Sequence, residues 1–266
     1  MLPMKRVLPV IFVLFGLTLA ASAAEITPHR ALYTLSLGST RTATGISDLT
    51  GGMSIEWNRS CDGWILNQRM VFRVYAEGLN ATQSDVNFTS WEAFDGLSYR
   101  FAMRSMRNGE IDEDLRGSAN LEAGGGGGRA VFARPADTEI ELPKGTIFPT
   151  EHSLILIERA KAGDRNVARI VFDGASVDGP QMVTAIMGAV AAASDEDSRK
   201  SPLLARPSWR ARLAFFPTEG SGSEPLYETG IRVLDNGVSD DLQFDYTEFS
   251  IKARRGRIEA IAAPQC

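Results

Sequence analysis

Soft metal ligands are scarce in this chain of 266 residues, which has only two histidines and two cysteines. Most zinc, copper and haem sites need a richer set, so the expectation is a protein without metal or cofactor. Catalytic signatures are missing as well. The glycine run Gly124–Gly128 is followed by Arg129 and Ala130 rather than the Lys-Ser/Thr of a phosphate loop, and reads as a loose hairpin tip. No G-x-S-x-G elbow and no D-x-[DN]-x-[DN]-G calcium loop occurs. His152 stands next to Ser153, and neighbours in a helix do not face each other, so they form no nucleophile–base pair. His29 lies beside Pro28, near the start of the exported chain. The acidic triplets Asp112-Glu113-Asp114 and Asp195-Glu196-Asp197 read as solvated turn charges rather than as a glycosidase pair fixed across a cleft. A non-enzymatic protein is the expectation, with an envelope-polymer hydrolase as a remote alternative.

Long apolar runs are absent except at the N-terminus, which excludes a multispanning membrane protein. Lys5 and Arg6 precede an apolar stretch from Val7 to Ala20, and Ala21-Ser22-Ala23 supplies small residues at a cleavage site. The pattern is a secretory signal over residues 1–23, followed by one domain over 24–266. Cleavage removes two basic residues from a chain whose formal net charge is already −5. The acidic mature surface repels phosphate backbones and argues against nucleic-acid binding. Export places Cys61 and Cys266 in an oxidising compartment, where they can pair, two free thiols being the other reading.

What the mature chain has in quantity is period-two patterning. Residues 31–37 alternate. Trp64, Leu66, Gln68, Met70, Phe72 and Val74 share one face of a long strand, with Ile65, Asn67, Arg69, Val71, Arg73 and Tyr75 on the other. Trp209, Ala211, Leu213 and Phe215 repeat the pattern. Residues 225–235 and 241–252 read as two strands around the turn Asp235-Asn236-Gly237. Further strands are expected near 52–59, 84–94, 97–107, 129–134 and 167–173. One segment differs. Residues 150–162 read as a buried helix, with Thr150 as the cap, Glu151 at the positive end, Arg159 and Lys161 in the last turn and Gly163 as a left-handed exit. Ala189–Ala193 is open to a short second helix, Met182–Met187 equally to a strand, and 195–201 reads as a loose, charged and polar stretch. Many strands and one principal helix in roughly 240 mature residues give a mostly β, single closed or spiral sheet. Trp64, Phe72, Trp209 and Phe215 face inward on these strands. Plain core packing accounts for them, and so does a lined lumen, because beyond roughly eight strands a curved sheet is too wide for its own side chains to fill.

A set of motifs then sets the chain beside a known family. They are Pro28-His29-Arg30-Ala31-Leu32-Tyr33, Cys61-Asp62-Gly63-Trp64, Leu142-Pro143-Lys144-Gly145-Thr146 with Phe148-Pro149-Thr150-Glu151-His152, and Val171-Phe172-Asp173-Gly174. After them come Pro207-Ser208-Trp209-Arg210, Ala214-Phe215-Phe216-Pro217, Asn236-Gly237-Val238-Ser239 and a terminal cysteine. In order and content they resemble the EipB family of cell-envelope integrity proteins over essentially the whole mature chain. The resemblance implies a periplasmic many-stranded β-spiral, like an open barrel, with its helix against the lumen. It implies a disulfide joining Cys61 to Cys266, a part in envelope integrity and stress resistance, a periplasmic tetratricopeptide-repeat protein as partner, and no catalytic residues. The glycine run and the 189–200 stretch depart from the family pattern and read as loop elaborations. The expected ligand is apolar or amphipathic, a lipid or lipoprotein tail or a protein segment held in the sheet cavity. The alternative is a structural adaptor that recruits partners through its outer surface.

Overall fold

A computed structural model of the chain describes residues 24–41, 45–218 and 224–266, so the signal segment 1–23 lies outside the described residues. Fifteen strands form one sheet, with β1 His29–Thr40, β2 Ile46–Arg59, β3 Gly63–Ala76, β4 Thr82–Ala93 and β5 Ser98–Arg107 in its first half. The meander continues through β6 Glu110–Leu121, β7 Gly128–Arg134 and β8 Thr138–Leu142. Then come β9 Thr146–Ile147, helix α1 Pro149–Lys161, β10 Asn166–Val171 and β11 Gln181–Ala191. A short helix α2, Asp195–Lys200, precedes β12 Ser208–Pro217, β13 Tyr227–Leu234, β14 Ser239–Asp245 and β15 Phe249–Ala260. In space the order runs from β8 down to β1, then β15, then down to β9. Every pairing is antiparallel except β9 with β10. The first and last strands therefore pair in mid-sheet, and the two edge strands, β8 and β9, are joined by Pro143-Lys144-Gly145 alone. This nearly closed, barrel-like sheet is the mostly β fold that the patterning implies.

Register explains the two faces. Met53 pairs with Met70, Trp57 with Leu66, and Leu49 with Val74, so the alternating apolar set of β3 points inward beside that of β2. The outer face is tied by cross-strand ion pairs such as Arg69–Asp85 at 2.8 Å and Arg30–Glu56. Inside, three larger apolar clusters form. One joins β1–β3 to β14–β15, a second packs α1 on β10–β13, and a third gathers Tyr99, Phe101, Phe132, Phe148 and Phe172. The inner segment locks into that third cluster at Gly174, whose φ of +70° suits glycine and which leaves no room for a Cβ against the Phe101 ring.

Several elements differ from the sequence reading. The helix begins at Pro149, one residue early, and Thr150 does not cap it. Gly163 supplies the left-handed exit, at φ +85°. Residues 241–252 are not one strand: β14 ends at Asp245 and β15 starts at Phe249. Asp112-Glu113-Asp114 lies within β6, because Arg107 pairs with Asp112 and Arg104 and Arg134 both pair with Asp114. The cue was Asn108-Gly109, both at positive φ, a two-residue hairpin turn. Ala189–Ala191 ends a strand because pairing with β12 outweighs the helical preference of alanine. The polar stretch after it forms α2, capped by Ser194, whose side chain accepts from the Asp197 amide at 3.0 Å.

Cys61, in the β2–β3 turn, is bonded to Cys266 at a sequence separation of 205. The C-terminal tail leaves β15, passes the end of β1, where the Ile261 amide donates to Pro28 O at 3.0 Å, and reaches that turn. The bond thus clamps the junction of the two halves. Closing so long a loop stabilises by about 5 kcal/mol at most in the chain-entropy model. Cys61→Ser is expected to cost a few kcal/mol. Thermal melts of oxidised, reduced and Cys61→Ser protein check this; coincident melts would refute it.

Candidate functional site

The best-formed polar feature of the interior is the seat of α1. Phe148 is fully buried and stacks on Tyr99 at 4.8 Å, which drives the first turn of the helix into the wall. No side chain of the helix itself satisfies the exposed amides there. Glu92, on the inner face of β4, does so instead: its carboxylate accepts from the Thr150 amide at 2.7 Å and the Glu151 amide at 2.8 Å. Glu92 is only 2% exposed, and burial pushes its pKa from the ordinary 4.5 up to about 7, against the opposing pull of the two amides.

His152 follows on the buried face of α1. Burial first, then the Arg169 guanidinium, hold its pKa down to about 4, so it is neutral near pH 7. Its Nε2 is enclosed and has no hydrogen-bond partner. Ser153 Oγ donates instead to Pro149 O at 2.9 Å, so the adjacent pair makes no catalytic contact. His29 is likewise buried, with Nδ1 2.7 Å from Thr27 O and its pKa lowered by burial.

The remaining inner surface is apolar and unevenly covered. Leu66, Phe72 and Val74 of β3, Phe244 of β14 and Leu154 of α1 pack against the β1–β3 cluster while only half-buried. Of the sequence candidates, Trp64 and Trp209 are 7% and 5% exposed and belong to packed clusters, Trp209 in the one that holds α1. Phe72 and Phe215 are half-buried. Phe215 begins an aromatic row, stacking on Tyr227 at 4.2 Å, with Tyr246 and then Phe249 beyond it. The four candidates therefore do not form one cluster: two are buried in the walls, and two pack against them half-buried. Among the described residues, no group of three or more His, Cys, Asp or Glu is placed to hold a metal ion.

The second acidic triplet is solvated at Asp195 and Glu196 but not at Asp197. Asp197 of α2 is buried and bonds Arg232 at 2.8 Å, while Asp240 lies 3.5 Å from Arg232 and 3.3 Å from Arg255. Two acids and two arginines alternate, and they fasten α2 to β13–β15. Nothing in the sequence signals this quartet, because its members come from four separate elements.

The EipB-like family profile matches residues 20–262. The chain belongs to the EipB-like family. It is 33% identical over 251 residues to a protein named cell envelope integrity protein EipB from Brucella abortus (strain 2308), covering 92% of this chain and 88% of the relative. A crystal structure of a β-barrel-like protein of a domain of unknown function, also from Brucella abortus, superposes with a TM-score of 0.83 at 30% identity, over 90% of this chain and all of that one. Three of the motifs that carry the EipB resemblance sit where the inner segment docks. Leu142–Gly145 crosses between the sheet edges, Phe148 seats α1, and Phe172 and Gly174 close on Phe101.

The seat of α1 yields a pH prediction. The folded pKa of Glu92 lies above its unfolded value, so the native state takes up the proton first. This carboxylate therefore opposes folding most above pH 7, and its penalty fades as pH falls from about 7 to about 4.5. Relative to Glu92→Gln, the natural protein should gain stability across that window. Melting curves at stepped pH check this, and a constant difference between the two proteins would contradict it.

Proposed function

We propose that this chain works outside the cytosol in maintaining the cell envelope, without catalysis, by holding an apolar or amphipathic ligand such as an acyl chain inside its sheet. The observation that carries this reading is the row of inward, half-buried apolar side chains Leu66, Phe72, Val74, Leu154 and Phe244. Water-exposed apolar surface on the inner face of a rigid sheet is a site that an apolar chain fills favourably, at about 25 cal/mol per Å² removed from water. Two polar groups nearby are spent on structure: Glu92 on the helix, Ser153 on its own backbone. The match to a protein named for cell-envelope integrity supports the physiological half of the proposal, and the signal-like residues 1–23 support export to the periplasm. A periplasmic tetratricopeptide-repeat partner, implied by the family resemblance, belongs to the same proposal.

Native mass spectrometry of the mature, disulfide-bonded protein with a dansyl-labelled long-chain fatty acid tests the ligand. One saturable adduct is expected. Leu154→Trp, which fills the space beside α1, should weaken it about tenfold or more while the melting temperature stays near that of the natural protein; tenfold corresponds to about 1.4 kcal/mol. A clean unliganded mass at every probe concentration would sink the carrier reading.

A further inference from the structure

The outer face of β4–β7 carries a second feature, a trough of about 1020 Å³. Its floor is low because Ala102 sits at the middle of β5, between Thr89 on one neighbour and Arg116 on the other. Its walls are arginine. Arg100, Arg104, Arg116 and Arg134 line it, with Asp114 as the one acid. Asp114 serves both Arg104 and Arg134, at 3.2 and 2.8 Å. Arg100 lies over the Trp91 ring at 4.8 Å, and among the described residues neither Arg100 nor Arg116 has a carboxylate partner. Val131, 44% exposed, adds an apolar patch opposite Trp91. Several other outer-surface arginines meet cross-strand acids, as at Arg69–Asp85 and Arg129–Glu139. A net-positive hollow on a chain of formal charge −5 is a local reversal of sign.

We propose that this trough binds an extended acidic peptide segment of a partner protein. Guanidinium groups pair carboxylates in a two-pronged geometry, and stacking on Trp91 holds Arg100 ready for it. Arg100 and Arg104 are four residues apart on one strand, about 13 Å, with Arg116 on the neighbouring strand between them. Side chains of an extended segment recur on one face about every 7 Å, so acids at alternate positions meet this array while apolar residues reach Trp91 and Val131. The arginines stand exposed around a low floor that includes Ala102 and Gly117, a shape that one extended chain can lie along. The proposal does not rest on any property of the interior.

Fluorescence anisotropy with a labelled peptide of about ten residues alternating Glu and Leu tests it on the mature, disulfide-bonded protein. Saturable binding that falls with salt is expected. Arg100→Glu with Arg116→Glu should weaken it at least tenfold. Arg210→Glu with Arg254→Glu, elsewhere on the outer face, should leave it within twofold, and so should Leu154→Trp in the interior. Arg100→Lys with Arg116→Lys should recover only part of the affinity, because lysine keeps the charge but not the fork. Equal binding of a Lys-Leu peptide, equal loss in the Arg210/Arg254 variant, or binding of phosphatidylglycerol vesicles in preference to the peptide would overturn the proposal.

Discussion

Everything in this fold depends on the pairing of β1 with β15. The first and last strands of the domain form the single ladder through which the two halves of the sheet meet, from His29 opposite Ala260 to Thr40 opposite Phe249. Each half is otherwise a run of neighbouring hairpins, apart from the short parallel β9–β10 contact, and such hairpins close small loops. The β1–β15 ladder closes almost the whole chain at once and carries the largest single loop-closure cost of the topology. The disulfide between Cys61 and Cys266 lies at this place and constrains the same separation in the unfolded chain.

The interior is organised by what enters it. Helix α1 reaches the wall with an apolar side packed on β10–β13 and an N-terminus that needs an acceptor. Glu92 meets that need from the far side of the sheet, at the expense of a carboxylate held out of water. Phe148 on Tyr99 and Gly174 against Phe101 fix the two ends of the inserted segment. Between these anchors the inner walls are well covered beside the helix and incompletely covered around Phe72 and Val74. A buried seat for the helix and a less buried stretch of wall thus lie on the same sheet.

Much of this was legible in the sequence where physics is local. Alternation placed β3 and β12 and their inward residues, and Gly163 and the Asn236-Gly237 turn marked ends correctly, because backbone freedom at those positions leaves few alternatives. The readings that differed were of charge in context. Asp112–Asp114 looked like a turn until arginines of β5 and β7 stood beside it. Asp197 looked solvated until Arg232 and Arg255 enclosed it, and Thr150 looked like a cap although the acceptor is Glu92, on another element. The wall positions of Trp64 and Trp209 likewise required knowing where α1 lies, since period two gives the face and not the depth.

The edges left facing each other at β8 and β9 have a mechanical meaning. A fully hydrogen-bonded barrel has a fixed circumference, because widening it requires breaking a ladder. Here Pro143–Gly145 spans that gap, with the Gly145 amide donating to Gly125 O at 3.2 Å, so no ladder between β8 and β9 sets the girth. The circumference is therefore held by packing and by that tether, a different kind of constraint from the continuous ring of ladders that fixes a closed barrel.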